Sequence, residues 1–307
     1  MGEVAQQLAI VVGVLGACFV GPALAIGFLV YRKRRVRARR RSPIGIDLLR
    51  GPGHSIREQL DDAGNDVSTD VFLLMVIPLL LLATVLAQGH LHGLQGMMHL
   101  APVYVLAALA FVALMVRKLW KAGERLDNLK AGFDAELAVG QELDQLMRQG
   151  AAVFHDIPAD NFNIDHVVIA SSGVFAIETK GYTKQKRGRG KADATVTFDG
   201  KVLKFPTWTT NEPLEQAERQ AAWLSKWLGS ATGMPVHALP IVALPGWFVE
   251  RTGRGEVRVF SGKELAGLLS SRGSQSLSSQ DVQRIVHQVE QRCRTVAPRY
   301  AEERRAS

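Results

Sequence analysis

Three charged side chains lie at the ends of an apolar stretch, NIDHVVIASSGVFAIETK, that covers residues 163–180. The stretch predicts two strands joined by a short turn, with Asp165 near the start of the first strand and Glu178 and Lys180 at the end of the second. If the turn is centred on the two serines, Asp165 faces Glu178 across the hairpin, with Cβ atoms about 5 Å apart. Lys180 projects from the same face as Glu178, because side chains two residues apart on a strand share a face.

This arrangement of charges would suit a divalent cation. Facing carboxylates repel each other unless a cation neutralises them, and carboxylate oxygens beside several waters are the ligands that Mg²⁺ or Mn²⁺ prefers. Such an ion lowers the pKa of a bound water and stabilises charge on a phosphate oxygen, while the Lys180 ammonium would position the attacking water or offset charge in the transition state. The alternative is an exposed strand end with a surface ion pair of little energetic value, and the pattern alone leaves it open.

The segments around this hairpin alternate between helical and extended patterns. Leucines at helical spacing predict a helix over 117–149 with a break at Gly132. Further strands are predicted at 153–157, 194–198, 201–205, 235–244 and 256–260, and further helices at 211–228, 261–269 and 281–294. This order predicts a small mixed sheet flanked by helices.

Three uncharged apolar stretches are long enough to cross a bilayer, which takes about 20 residues. They cover residues 8–31, 71–88 and 100–116, in a chain of 307 residues that is 47% hydrophobic. A cleavable signal peptide is the alternative for the first, and a buried helical hairpin in a soluble fold for the other two. No basic residue precedes the first stretch, which favours an uncleaved anchor. The sequence therefore predicts three transmembrane helices, and since they contain no ionisable residue a transporter is disfavoured.

The net charge of +8 is concentrated in one segment, RKRRVRARRR, at residues 32–41. A nucleic-acid-binding patch is one interpretation, but directly after an apolar stretch the segment reads better as a cytoplasmic flank. We therefore expect a multi-pass protein of the cell membrane, with its N-terminus outside, a basic cytoplasmic loop at 32–70 and a cytoplasmic C-terminal half. Its two cysteines, Cys18 and Cys293, cannot build a disulfide framework or a thiolate metal site.

Five blocks of this sequence, spread over roughly residues 130–245, resemble the nuclease-related domain, or NERD, family. They are DAELAVGQELDQL, VFHDI, NIDHVVIASSGVFAIETKG, NEPLEQA and PIVAL, in the order that the family has them. The family is grouped with restriction-endonuclease-like folds of the PD-(D/E)xK type. The resemblance thus implies an α/β (α+β) domain with a mixed central sheet flanked by helices, here preceded by the three membrane helices.

The resemblance also implies roles for individual residues. Asp165, Glu178 and the backbone carbonyl of Thr179 would bind the metal, and Lys180 would be the catalytic lysine. Two further positions match the family's upstream acid and a glutamine of the helix after the core: these are Glu136 and Gln216. Each has a plainer interpretation, a solvated helix glutamate for the first and helix surface for the second.

Two positions depart from the family pattern. Ala135 precedes Glu136 where the family often has glycine. Glu212 separates Asn211 from Pro213 where the family commonly has Asn-Pro.

A basic loop follows the hairpin. Its cations are Lys184, Lys186, Arg187, Arg189 and Lys191. They could follow a nucleic-acid backbone, or the loop could simply be solvated. The expected domains are a membrane region at 1–116, a linker helix at 117–131, the nuclease-like core at 132–245, and a C-terminal strand and helices at 246–307.

Two functional hypotheses follow. The first is a membrane-anchored, magnesium-dependent nuclease that hydrolyses phosphodiester bonds of DNA or RNA, for which a homodimer would be natural if the substrate is a duplex. The second is a non-catalytic membrane-tethered module that uses a nuclease-like fold to bind nucleic acid or a protein. The intact carboxylate pair and lysine favour the enzyme, whereas the membrane tether keeps the binding module open.

Overall fold

The structure is a computed structural model that describes residues 24–37, 39–184, 190–270 and 275–298, without the side chains of residues 87, 88 and 90–100. The chain divides into two compact units. One consists of Met1–Gly45, Asp61–Leu126 and Pro298–Ser307, and the other of Ile46–Leu60 together with Asp127–Ala297.

The first unit is helical and apolar. Residues 24–37 are helical and almost all exposed. Helix α1 covers His54–Asp144. Two helical segments, His54–Leu86 and Ala101–Gln149, each contain a window long and apolar enough to span a bilayer, and only 6% of each window is buried. A buried hairpin in a soluble core would hide most of these side chains, so their low burial is consistent with membrane association. The described residues thus contain two candidate spans rather than three, since most of the predicted span at 8–31 lies outside them.

The chain folds back on itself between the two ends of helix α1. Lys118 Nζ lies 2.6 Å from Asp70 Oδ1, although the two residues are 48 positions apart. A straight helix would separate them by about 72 Å at about 1.5 Å per residue. The two apolar segments therefore run antiparallel past this ion pair.

One expectation for α1 is wrong: the helix does not break at Gly132, where a Cβ would make only an ordinary contact of 3.4 Å with the Ile56 side chain. The predicted cytoplasmic loop at 32–70 contains strand β1 (Leu48–Leu49) and the first turns of α1, and its side of the membrane stays a prediction. A two-residue strand carries no alternation that a sequence pattern could detect.

The second unit is built on a five-stranded mixed sheet in the order β10-β8-β4-β3-β2. Its strands are β2 (Ala152–Pro158), β3 (Asn163–Ala170), β4 (Gly173–Thr179), β8 (Ala238–Leu244) and β10 (Arg258–Ser261). Strands β2, β3 and β4 are antiparallel, whereas β4, β8 and β10 are parallel. All five were predicted, because their apolar runs are bounded by turn residues.

Helices cover both faces of this sheet. Helices α2 (Glu212–Thr232) and α3 (Ser279–Cys293) pack on one face through Leu224 and Ile285. The end of α1 and the 3₁₀ helices Gln145–Gln149 and Gly262–Ser270 pack on the other. The predicted mixed α/β arrangement of a sheet between helices is confirmed, and it fits a nuclease-like domain.

A second sheet and a short ribbon complete the unit. The second sheet has the order β7-β6-β5-β9, from β5 (Thr195–Phe198), β6 (Leu203–Lys204), β7 (Thr209–Thr210) and β9 (Phe248–Arg251). A short 3₁₀ helix, Gly190–Ala194, precedes β5. Strand β11 (Arg294–Val296) pairs antiparallel with β1, so the segment before α1 is joined to the end of the domain.

Candidate active site

The hairpin that carries the three predicted charges has the predicted register. Strands β3 and β4 pair from Ala170↔Gly173 to His166↔Ile177, which places Asp165 and Glu178 at the next pair of positions. The Thr179 N–H donates to Asp165 Oδ2 at 2.6 Å. The two acids therefore meet at one end of the hairpin, and Thr179 lies beside them.

Glu178 is held in a buried, fully hydrogen-bonded position. Its Oε1 lies 2.8 Å from Lys180 Nζ, and its Oε2 accepts a hydrogen bond of 2.6 Å from Gln220 Nε2. The side chains of Glu178 and Lys180 are only 3% and 21% exposed. An exposed strand end with a surface ion pair is therefore ruled out here. Lys180 Nζ also donates to Gln216 Oε1 at 2.9 Å, so helix α2 fixes the lysine from the other side.

Glu136 joins the same cluster from helix α1. Its side chain is buried, so a solvated helix glutamate is excluded. Burial raises the pKa of Glu136 to about 7, with further increases from the nearby charges of Asp156 and Glu178, although a hydrogen bond from the Gly53 backbone opposes them.

The pKa values of Asp165 and Lys180 are shifted by burial and by the neighbouring charges. Burial, then Glu178 and Glu136, raise the pKa of Asp165 well above its usual value. Burial alone would lower the pKa of Lys180, but its ion pair with Glu178 outweighs burial and the net shift is upward. Three carboxyl groups thus share one ammonium group in a place with little water.

The donor set fits a magnesium-like cation. Among the described residues, no group of three or more His, Cys, Asp or Glu side chains is arranged to enclose a metal. Mg²⁺ does not require such a cage, since it commonly keeps several waters and takes one or two carboxylates. The buried Gln220 Oε1 and Thr179 Oγ1 have no hydrogen-bond partner among the described atoms, so both could accept hydrogen bonds from coordinated waters.

Gln220 is a site residue that the sequence interpretation missed. It lies one helical turn after Gln216 on α2, is only 2% exposed, and bridges Glu178 to the backbone carbonyl of Asn163 at 3.3 Å. The spacing i, i+4 puts both glutamines on one helix face. That spacing was the one signal in the sequence that could have found it.

The segment before α1 was also missed as a part of the site. Asp156 has a φ of 50° and is buried. It accepts hydrogen bonds from Arg50 Nη1 at 2.9 Å, from the Ser55 N–H at 3.1 Å and from Asn163 Nδ2 at 3.1 Å. Residues 50–55 therefore support the same polar network that reaches Glu178 through Asn163 and Gln220.

The basic loop after Lys180 is only partly described. Lys184 Nζ donates to the Gly246 carbonyl and lies 5.7 Å from the Trp247 ring centroid. Lys191 Nζ lies 4.9 Å from the Phe248 ring centroid. The predicted cations Lys186, Arg187 and Arg189 lie outside the described residues, and contact of this loop with nucleic acid stays a prediction.

Comparison with known families gives one match. Residues 131–245 match the family model of NERD, the nuclease-related domain. The matched range contains the site residues from Glu136 to Gln220. The match confirms the resemblance and indicates a nuclease-related function. A search of curated proteins gave no match, and neither did a search of solved structures.

Proposed function

We propose, from the nuclease-related domain at residues 131–245, that this protein is a membrane-anchored nuclease that uses Mg²⁺ or Mn²⁺ to hydrolyse phosphodiester bonds in DNA or RNA. The observation that carries the proposal is the buried cluster in which Asp165, Glu178 and Lys180 meet. Burying more carboxylates than one lysine can neutralise is energetically unfavourable. A bound cation would offset this cost.

Asp165 and Glu178 would hold the metal. When bound, Mg²⁺ supplies Lewis-acid stabilisation of charge on a phosphate oxygen and lowers the pKa of a coordinated water. The Lys180 ammonium would hold the attacking water in line with the phosphorus atom or offset charge on the phosphate in the transition state. Gln216 would fix the Lys180 side chain through its 2.9 Å hydrogen bond.

Glu136 and Gln220 would support the metal-binding residues indirectly. With a pKa of about 7, Glu136 can hold a proton near neutral pH or release it when a cation arrives. Gln220 would orient Glu178 through its 2.6 Å hydrogen bond. The Thr179 carbonyl would add a third protein oxygen.

We place the domain at the cytoplasmic face of the cell membrane. The basic segment at 32–41 supports this side. A homodimer would present two such sites to the two strands of a duplex.

The test is cleavage by the full-length protein in lipid nanodiscs. Labelled single-stranded and duplex DNA and RNA are incubated with Mg²⁺, Mn²⁺ or EDTA, with wild type, Lys180→Ala and Lys226→Ala. Lys226 is exposed on helix α2 and serves as the matched lysine control. We expect metal-dependent cleavage that Lys180→Ala lowers by about 10²–10³-fold, the cost of one transition-state donor, and that Lys226→Ala leaves unchanged. Equal product in Lys180→Ala and wild type, or none in any lane, would contradict the nuclease and favour a binding module.

A further inference from the structure

A small aromatic cavity lies near the lysine of the candidate site. It has a volume of about 200 Å³, and its wall includes Tyr182, Pro206, Trp208 and Trp247. Tyr182 is two residues after Lys180, and the two side chains are close enough to affect each other's ionisation. The volume is below the roughly 300–1,000 Å³ of sites that enclose a whole small molecule, so the cavity suits a single planar ring system.

The aromatic side chains of this cavity are fixed by contacts with one another. Phe205 and Trp208 are stacked, with centroids 4.0 Å apart and planes at 11°. Tyr182 meets both edge-on, at 5.3 Å and 4.7 Å. Trp247 meets Phe205 edge-on at 4.9 Å and donates its indole N–H to the Tyr182 carbonyl. The wall is therefore rigid before any ligand arrives.

Exposure separates Trp208 from an ordinary core residue. Trp247 and Phe205 are 4% and 7% exposed and belong to the core under the second sheet, whereas Trp208 is 38% exposed and lies outside that core. The turn that carries Trp208 is held by a backbone hydrogen bond of 2.8 Å from Phe205 N–H to the Trp208 carbonyl. A partly exposed tryptophan that is held by its neighbours in the wall of an aromatic cavity favours stacking with a ligand ring.

Two cations lie near residues of the cavity wall. Lys180 is near Tyr182, and Lys184 is fixed near Trp247 by its hydrogen bond to the Gly246 carbonyl. Asp193 contributes a carboxylate to the cavity wall, which can accept a hydrogen bond from the amino edge of a base. Positive charge for phosphates and an aromatic wall for bases are the two components of single-strand recognition.

We infer that this cavity binds one unpaired nucleobase next to the scissile phosphate, so that the substrate is single-stranded nucleic acid or a duplex with a splayed end. This inference rests on the proposed function, because Lys180 marks where the phosphate would lie. A base inside an intact duplex is stacked on its neighbours and could not enter, so an intact duplex should be a poor ligand.

The test measures binding separately from cleavage. The full-length protein in nanodiscs is titrated against fluorescent oligonucleotides in EDTA, and dissociation constants are read by anisotropy for wild type, Trp208→Ala, Trp208→Phe and Trp223→Ala. Trp223 is the matched tryptophan control, since it stacks on Trp227 and donates to Asp160 elsewhere on the domain. Oligonucleotides with one abasic position, moved stepwise along the strand, test the same contact without any mutation. Thermal melting checks that each variant is folded.

We expect Trp208→Ala to weaken binding of the single strand by between about fivefold and a hundredfold, the range for loss of one base–aromatic stack. Trp208→Phe should keep most of the affinity, Trp223→Ala should keep all of it, and one abasic position should reproduce the loss in wild type. The inference is overturned if Trp208→Ala binds as wild type does, or if no abasic position matters. Trp208-dependent binding without any cleavage would remove the nuclease proposal and leave only a base-binding cavity with no scissile phosphate beside it. Metal-dependent cleavage without a Trp208 effect would support the nuclease proposal and overturn the base-binding cavity.

Discussion

The Glu136 carboxyl shows how the charge imbalance of the site acts on single residues. It lies near Glu178 and Asp156, with little water to separate the charges, and its pKa rises to about 7. An unfolded chain has an ordinary glutamate pKa of about 4.3. Without a cation, the folded state therefore binds this proton more tightly than the unfolded state does.

The first prediction is a contribution of Glu136 to stability that falls with rising pH in EDTA. It is complete below the unfolded pKa and is lost as the pH rises through about 7. At about 1.4 kcal/mol per pKa unit, this contribution to the free energy of unfolding should decrease by about 2–3 kcal/mol between pH 5 and pH 7.5. Urea unfolding at pH 5 and pH 7.5, followed by tryptophan fluorescence, measures it.

Glu136→Gln should flatten this pH dependence, because a neutral amide replaces the group that titrates. Asp134→Asn, on an exposed position of the same helix, is the control and should leave the slope unchanged. Equal pH slopes for wild type and Glu136→Gln would contradict the assignment. The comparison is made between these two because burial lowers the pKa values of His155 and His166, and these histidines add the same opposite slope to both proteins.

The second prediction separates the two glutamines of α2. Gln220→Ala leaves the buried Glu178 Oε2 without its donor, so we expect a loss of about 1–3 kcal/mol in unfolding free energy as well as lower activity. Gln216→Ala removes a partner of Lys180 at a half-buried position and should lower activity with a stability change under about 1 kcal/mol. Thermal melting and cleavage assays of both variants measure this difference. Equal destabilisation by the two substitutions would contradict the prediction.

Sequence interpretation found the residues of this site that are close in the chain. Asp165, Glu178 and Lys180 belong to one hairpin, whose register follows from its apolar pattern and its short turn. Gln220 was missed although it lies on a helix that was predicted, because nothing local distinguishes a glutamine that faces a carboxylate from one that faces water. Asp156 was missed because its role depends on Arg50, 106 positions away.

At the scale of elements, the segment Ile46–Leu60 forms one compact unit with Asp127–Ala297. Strand β1 pairs with β11, and the residues at the start of α1 supply the Gly53 and Ser55 N–H groups to Glu136 and Asp156. A Cβ at Gly53 would lie 2.7 Å from the Phe133 ring, so the close approach also requires glycine. A fragment that begins at residue 117 would lack all of these contacts.

The third prediction tests this segment through Arg50. Its guanidinium pairs with Asp156, which is 4% exposed, and hydrogen-bonds Thr295. Removing one partner of a buried pair leaves the other charge uncompensated and costs about 3–5 kcal/mol. Arg50→Ala should lower the unfolding free energy by that amount, whereas Arg57→Ala, at an exposed position in the first turns of α1, should change it by less than about 0.5 kcal/mol. A similar small effect of both variants would show that the segment is dispensable.

An element is hard to predict from the sequence when it is short or exposed and its partner lies far away in the chain. Strands β2, β3, β4 and β8 carry long apolar runs and were recognisable alone. Strand β9 is mostly exposed and was not predicted. Strand β1 has two residues, and its partner lies some 245 positions later, so only the folded chain defines it.

For the whole molecule, the membership of the nuclease-like unit constrains how the chain can cross a bilayer. Ile46–Leu60 and Asp127–Ala297 form one unit, so in a membrane-bound chain both would lie on the same side of the bilayer. An even number of crossings between them is then expected, and the two candidate spans would provide it. An odd number would separate β1 from β11.

The last prediction follows from that constraint and from the basic segment at 32–41. Single cysteines at Ser42, Gly96 and Ser307, in a variant without Cys18, are treated in intact cells with a thiol reagent that cannot cross membranes. Gly96→Cys should be labelled in intact cells, and the other two only after permeabilisation, because basic flanks stay in the cytoplasm. Burial raises the pKa of the Cys293 thiol to about 12, so this residue should stay unlabelled throughout and serve as an internal control. Labelling of Ser42→Cys and Ser307→Cys from opposite sides cannot be reconciled with a domain that contains both β1 and β11.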